Sequence, residues 1–64
     1  MYNITKTESE IIDLIAKEKS NIEIAEQLGY SQRAIEYHIA KIRKKLNVRS
    51  RVGIIVKAFK KELI

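Results

Sequence analysis

The sequence predicts a small all-α protein, and three observations support this fold class. The chain of 64 residues has no proline and an apolar share of 45%, the balance of a globular helical chain. Its apolar residues recur at intervals of three and four, the period of a helix packed on one side. Several serines and threonines precede a glutamate by three residues, a pattern that opens helices. We therefore expect one domain over residues 1–64, with helices at about 6–19, 21–28, 32–46 and 51–63.

The first helix is predicted by two overlapping capping boxes and an apolar stripe. Thr5 with Glu8 and Thr7 with Glu10 compete to open it, because hydroxyl and carboxylate then satisfy free amides of the first turn. Apolar residues follow within positions 11–15 and fade near Lys19. The helix should pack this stripe against the rest of the domain.

The second and third helices are predicted to form a helix-turn-helix unit. Ser20 with Glu23 opens the second helix, and Gly29 ends it because glycine readily adopts the left-handed conformation of a helix end. Ser31 can cap the third helix. A short helix, a three-residue turn containing glycine and a longer basic helix give the outline of this motif.

The third helix separates into two faces. Its inward stripe is apolar and recurs in steps of four and three: Ile35, Ile39, Ile42 and Leu46. The opposite side presents Arg33, Tyr37, Ala40 and Lys44, flanked by Glu36 and Lys41. Arginine, lysine, tyrosine and a small alanine suit a DNA major groove. A solvated face is the alternative, but it does not explain an outward Tyr37.

The charge of the chain is divided between its halves. Residues 1–31 carry three cations and six anions, a net −3, whereas residues 32–64 carry ten cations and two anions, a net +8. A positive region of this kind attracts a polyanion. Nucleic acid is the first candidate, an anionic membrane the second and an acidic protein the third.

The fourth helix has an unusually wide apolar arc of roughly 200°. One stripe is Val52, Ile55, Val56, Phe59 and Leu63, and Ile54 and Ala58 extend it sideways. Half of the arc can fill the core, and the remainder predicts a partner surface. A basic amphipathic helix on a membrane is the second choice, because this helix is needed to complete a small core.

The residue types exclude most catalytic and metal chemistry. The chain has no cysteine and a single histidine, His38, so neither a metal site nor a catalytic pair can be assembled from it. We expect His38 to pack and make a polar contact. The glycines are isolated, without a phosphate-binding loop. We predict no enzyme, no cofactor, no small-molecule ligand, no membrane span and a cytoplasmic location.

Three ordered segments resemble a known family. Residues 20–31 read SNIEIAEQLGYS and are similar to the "SNxEIAxxLxxS" segment of the LuxR-type (GerE-like) helix-turn-helix domain of bacterial transcription factors. Residues 34–38, AIEYH, stand where the family tends to have "TVKxH", and residues 42–51, IRKKLNVRSR, match "IxxKLxVxSR". The resemblance covers residues 4–64, and its three segments have the family's spacing.

This resemblance implies a four-helix domain that places its third helix in the major groove and dimerises through its fourth. The implied base contacts are Gln32, Arg33, Glu36, Tyr37, Ala40 and Lys41. The expected phosphate contacts are Ser31, Lys41, Lys44, Lys45, Arg49 and Arg51. The expected dimer contacts are Gly53, Ile54, Lys57, Ala58 and Lys61, with Gly53 allowing close helix approach.

Three positions depart from the family pattern. Glu36 stands where the family often has lysine, Ala40 where some relatives carry a basic residue, and Glu62 where relatives often have glycine. Glu36 weakens any phosphate contact at its position, although a carboxylate can accept a hydrogen bond from the cytosine amino group. The departures at Glu36 and Ala40 bear on the target sequence, whereas Glu62 should lengthen the last helix.

The predicted function is a sequence-specific regulator of transcription that binds double-stranded DNA as a homodimer. Half-sites one helical turn apart follow from that symmetry. Two alternatives remain: a helix-turn-helix interaction protein that pairs with another regulator, and a sigma-factor-like promoter-binding domain acting with RNA polymerase. The sequence also leaves open whether the chain is a stand-alone regulator or the effector of a longer one.

Overall fold

The computed structural model describes residues 3–64, and Met1 and Tyr2 of the predicted domain lie outside that range. Its helices are α1 (Lys6–Ala16), α2 (Asn21–Leu28), α3 (Gln32–Leu46) and α4 (Arg51–Lys60). No strand occurs among the described residues. The predicted all-α class is confirmed.

Side-chain caps start every helix. Thr5, rather than Thr7, opens α1: its hydroxyl oxygen accepts from the amide of Glu8, whose carboxylate accepts from the amide of Thr5. Ser20 and Glu23 form the same reciprocal pair at α2. Ser31 and Ser50 accept from amides of the first turns of α3 and α4. Local hydrogen bonds therefore fix where each helix begins.

Helices α1 and α4 each end three residues before the predicted position. Glu18 and Glu62 have positive φ angles of 64° and 57°. The following amides turn back across the helix end, from Lys19 to the Leu14 carbonyl and from Leu63 to the Ala58 carbonyl, at 3.0 Å and 2.8 Å. This is the Schellman pattern, which glycine usually serves. Glutamate rarely adopts this conformation, so the sequence carries no strong stop signal there.

Helix α3 is the central element, because it packs against each of the other three helices. All four helices contribute apolar side chains to one buried core. The fully enclosed members with large side chains are Ile11, Ile12, Ile24, Ile35, Ile42, Leu46 and Ile54. Burial of one face of α3 on three neighbours fixes which face remains exposed.

Gly53 lies in α4 against the loop that precedes it. A β-carbon at this position would lie 3.0 Å from the Val48 β-carbon and 3.3 Å from the Ser50 hydroxyl oxygen. The first of these distances is too short for an undisturbed contact between carbons. Close packing within the chain therefore accounts for this glycine, without the dimer contact proposed from the sequence.

Candidate nucleic-acid interface

The outward side of α3 forms an exposed surface that we call the recognition face. It comprises the six predicted base-contacting residues, all of them exposed: Gln32, Arg33, Glu36, Tyr37, Ala40 and Lys41. The opposite stripe of α3 is buried in the core. The fold therefore brings the predicted residues onto one accessible surface. No other element covers it among the described residues.

The amino end of α3 differs from those of α1 and α2. Each of the first two helices has a glutamate in its first turn, whereas α3 has no acidic residue there. Ser31 caps α3 and is itself exposed. As at α4, no acidic side chain offsets the positive end of the helix dipole at α3, an arrangement that favours an approaching anion such as phosphate.

Aromatic side chains cluster at the middle of the recognition face. Tyr37 is 62% exposed, and its ring centroid lies 5.8 Å from that of His38 in an edge-on arrangement. The Lys41 ammonium lies 5.6 Å from the Tyr37 centroid, and the ring centroid of Tyr30 in the turn lies 5.7 Å from that of His38. His38 Nδ1 is buried with no hydrogen-bond partner in the described chain. His38 packs as expected, but Nδ1 lacks the expected polar contact.

Lys45 was predicted to contact phosphate, but it is engaged inside the protein. Its ammonium donates to Glu8 Oε1 and to the carbonyl of Asn3, both at 2.7 Å. Glu8 is a buried carboxylate, so the removal of this cation would leave an uncompensated charge. The packing of α1 on α3 therefore gives Lys45 a role in the fold, and its phosphate contact stays a prediction.

The environment of Glu8 reflects this pairing. Burial raises the pKa of Glu8, whereas the hydrogen bond from Lys45, the amide of Thr5 and the charges of Lys45 and Lys41 lower it. The net result is a pKa below the ordinary 4.5. Glu8 therefore stays ionised when exposed carboxylates begin to take up protons.

Arg51 was also predicted to contact phosphate, and it too is held within the domain. One guanidinium nitrogen donates to Asn21 Oδ1 at 2.7 Å, and the other donates to the carbonyl of Lys19. These bonds join the start of α4 to the start of α2 and to the connection that precedes it. Arg51 thus has a role in the fold, and its phosphate contact stays a prediction.

The other predicted phosphate contacts remain accessible. Ser31, Lys41, Lys44 and Arg49 are all exposed. Arg43 is exposed as well, but it lies outside the predicted stripe through Tyr37 and Lys44 and was therefore missed. Its position could have been predicted from its spacing of three residues from Ala40, since residues at that spacing are neighbours on a helix.

The predicted dimer contacts on α4 are partly wrong. Ile54 and Ala58 have no exposed surface, because α4 turns these two side chains into the core. Gly53 and Lys57 are half-buried, and Lys61 is exposed. The accessible apolar residues lie on a different side, which we call the α4 apolar face: Val52, Val56 and Phe59, exposed by 71%, 50% and 73%.

Residues 3–64 contain neither a membrane-spanning helix nor a metal-binding cluster. None of the helices has the length and apolar character needed to cross a bilayer. No group of three or more histidine, cysteine, aspartate or glutamate side chains is arranged to hold a metal ion within that range.

An exposed basic helix that follows a short helix and a tight turn defines the class: this is a helix-turn-helix domain. Residues 2–58 match the family model described as bacterial regulatory proteins, luxR family, and the chain belongs to that family. The predicted resemblance is confirmed. The chain is therefore a DNA-binding domain of the type found in transcriptional regulators. The comparisons point to a regulator rather than an enzyme.

The chain is similar to part of two larger regulatory proteins. The chain is 43% identical over 61 residues to the oxygen regulatory protein NreC of Staphylococcus carnosus, covering 95% of this chain and 28% of NreC. It is 44% identical over 57 residues to the response regulatory protein YgeK of Escherichia coli K12, covering 89% of this chain and 39% of YgeK. The chain thus spans less than half the length of either relative.

Proposed function

We propose that this chain binds duplex DNA sequence-specifically as a homodimer, with α3 of each subunit in the major groove of one half-site. The observation that carries the proposal is the orientation of α3, which buries one stripe in the core and leaves the recognition face open. A major groove about 12 Å wide admits a helix in this manner. Because its proposed ligand is duplex DNA, we expect the protein in the cytoplasm.

Phosphate contacts flank the recognition face in this proposal. Lys41, Lys44 and Arg49 supply exposed cations, and Arg43 adds one that the sequence analysis left out. The amino end of α3 at Ser31, which has no acidic residue in its first turn, provides amides for a further phosphate. Contacts of this kind fix position and register, whereas side chains on the recognition face read the bases.

The α4 apolar face supports dimer formation. Val52, Val56 and Phe59 follow one another in steps of four and three, so they form one stripe along α4. A two-fold axis brings the same stripe of a second subunit into contact with it. This face replaces the predicted contacts through Ile54 and Ala58.

The test is selection of binding sites from a random duplex pool at low and moderate salt, with the mass of the protein in solution measured in parallel. We expect a dimer that enriches a two-fold-symmetric site with half-sites one helical turn apart. Weak binding that salt abolishes, without enrichment of any sequence, would contradict sequence-specific recognition.

A matched pair of α4 variants tests the dimer surface. Phe59→Ser should shift the protein toward a monomer and weaken binding to the symmetric site, while its unfolding midpoint changes little. Lys60→Ser is the control, since Lys60 is exposed beside the apolar face without contributing apolar area. Equal dimer affinity of both variants would exclude this face as the interface.

A second candidate function uses the same surface. An interaction protein would pair through the α4 apolar face with a related regulator, and the exposed anion of Glu36 on the recognition face favours this candidate because it weakens attraction to DNA. The selection experiment separates the two functions. A protein that forms mixed dimers with a related regulator but enriches no DNA sequence has the second function.

A further inference from the structure

The Tyr37 ring and the Ala40 methyl group form an apolar centre of the recognition face, and the charged side chains of Glu36 and Lys41 lie beside it. Tyr37 and Ala40 are three residues apart and both exposed, so they are neighbours on one side of α3. Arg33 precedes them by one turn and Lys44 follows them by one turn. A DNA helix lying against this face meets an aromatic ring and a methyl group at the middle of the contact.

The Tyr37 ring is held in place although most of its surface is in solvent. The His38 ring contacts its edge, and the Lys41 ammonium lies over its face. Arrangements of both kinds are attractive. A side chain that is ordered before binding loses less conformational entropy when it contacts a partner. Tyr37 is therefore prepared for a specific contact.

His38 connects Tyr37 to the turn of the motif. Its ring contacts those of both Tyr30 and Tyr37, with centroid distances of 5.7 Å and 5.8 Å. Nδ1 is buried without a partner among the described residues, so hydrogen bonding at that atom does not explain the placement. Its contacts with the two tyrosines make His38 a positioning residue for Tyr37.

The chemistry of this apolar centre selects one base. In the major groove only thymine presents a methyl group, and alanine or an aromatic ring makes apolar contact with it. We propose that this protein reads the centre of its half-site through thymine methyl groups, with Tyr37 and Ala40 as the contacts and His38 holding the Tyr37 ring. The inference rests on the proposed function, since it assumes that α3 enters the major groove.

The experiment removes single methyl groups from the DNA. After a site has been selected from the random pool, each thymidine of a half-site is replaced in turn by deoxyuridine, which lacks only the C5 methyl group. We expect affinity to fall about fourfold at each contacted thymine, which is the transfer free energy of one methyl-sized group expressed as an equilibrium constant. Thymines outside the central contact serve as internal controls.

Protein variants assign the contacts. Tyr37→Ala should abolish the deoxyuridine effect at one thymine and retain it at the position contacted by Ala40. His38→Ala should reduce the effect at the Tyr37 position, and His38→Phe should restore it because a ring again contacts the Tyr37 ring. Lys44→Ala is the matched control, which should weaken binding to the thymine and uracil duplexes equally.

The outcomes distinguish this inference from the proposed function. Selective binding of a DNA site with no deoxyuridine effect at any position would overturn the thymine contact and leave sequence-specific binding intact. A failure to enrich any duplex site would overturn both. An unchanged deoxyuridine effect in folded His38→Ala protein would overturn the positioning role of His38, and thermal unfolding of each variant establishes that it is folded.

Discussion

Lys44 and Lys45 are adjacent in the chain, yet they belong to different regions of the molecule. Lys44 is exposed beside the recognition face, whereas Lys45 turns toward α1 and binds a buried carboxylate. Arg49 and Arg51 differ in the same way, because Arg51 holds the connection between α1 and α2. Cations at contacts between helices, which we call contact cations, therefore stabilise the fold. Cations of the outer surface remain available to a polyanion.

This difference limits what a charge count establishes. The second half of the chain carries ten cations, but two of the six predicted phosphate contacts are engaged in intramolecular hydrogen bonds. An exposed lysine keeps its hydration and is attracted by any anion, whereas a lysine paired with a buried anion is needed to offset the desolvation of that anion. The following substitutions separate the two groups.

The largest effect is expected from Lys45→Ala. The substitution leaves Glu8 buried without its cation, and we expect the free energy of unfolding to fall by about 3 kcal/mol. Urea denaturation at pH 7 measures it. Lys44→Ala is the matched control and should change the stability by less than about 0.5 kcal/mol. Equal losses of unfolding free energy in both variants would contradict the division into contact cations and surface cations.

Arg51→Ala should have the second-largest effect on stability. It removes two charge-assisted hydrogen bonds that join α4 to the start of α2 and to the connection before it, and we expect a loss of about 2 kcal/mol. Arg49→Ala should leave the urea midpoint almost unchanged, since Arg49 is exposed. A stability of Arg51→Ala equal to that of Arg49→Ala would show that these bonds contribute little.

Surface cations should instead affect DNA binding. Lys44→Ala should weaken binding to all sequences alike and reduce the slope of log affinity against log salt by about one. Arg33→Ala should relax the preference at particular bases, at a cost of at least about 1 kcal/mol for those bases. Titrations of a selected site and of mutated sites at several salt concentrations measure both. Identical effects of the two substitutions on every sequence would refute this assignment.

The smallest effect on the stability of the fold is expected from a decrease in pH. The folded-state pKa of Glu8 lies below its ordinary 4.5, so the unfolded chain binds its proton first as the pH falls. The stabilisation is complete above the ordinary pKa and is lost as the pH falls through the folded-state value. Urea midpoints from pH 7 to pH 3 should therefore decline more steeply in the wild type than in Glu8→Gln. Parallel profiles would argue against a role for this carboxylate.

Local signals explain why much of the fold was predictable. Helices α2 and α3 begin after Ser20 and Ser31 and end before Gly29 and Asn47, and each of these residues acts on amides or carbonyls within a few positions. The recognition face followed from the same helical period, because the residues opposite a buried stripe must face solvent when nothing covers them. The family segments lie in these two helices and in the turns beside them.

The α4 helix shows where local signals fail. An apolar arc of roughly 200° has two halves of similar hydrophobicity, and Ile54 and Ala58 were predicted to be accessible. Only the contacts with α1 and α3 decide that these two are buried and that Val52, Val56 and Phe59 are exposed. The ends of α1 and α4 at left-handed glutamates were missed for a related reason, since glutamate has no preference for that conformation.

By itself, the sequence determined the fold class, the starts of α2, α3 and α4, the helix-turn-helix unit and the composition of the recognition face. Caps act over three residues and the helical period over four, so the chain specifies these features locally. Tertiary structure decided which cations are engaged and which side of α4 is covered. The pairing of Lys45 with Glu8 joins residues 37 positions apart, and such a contact depends on how the helices pack.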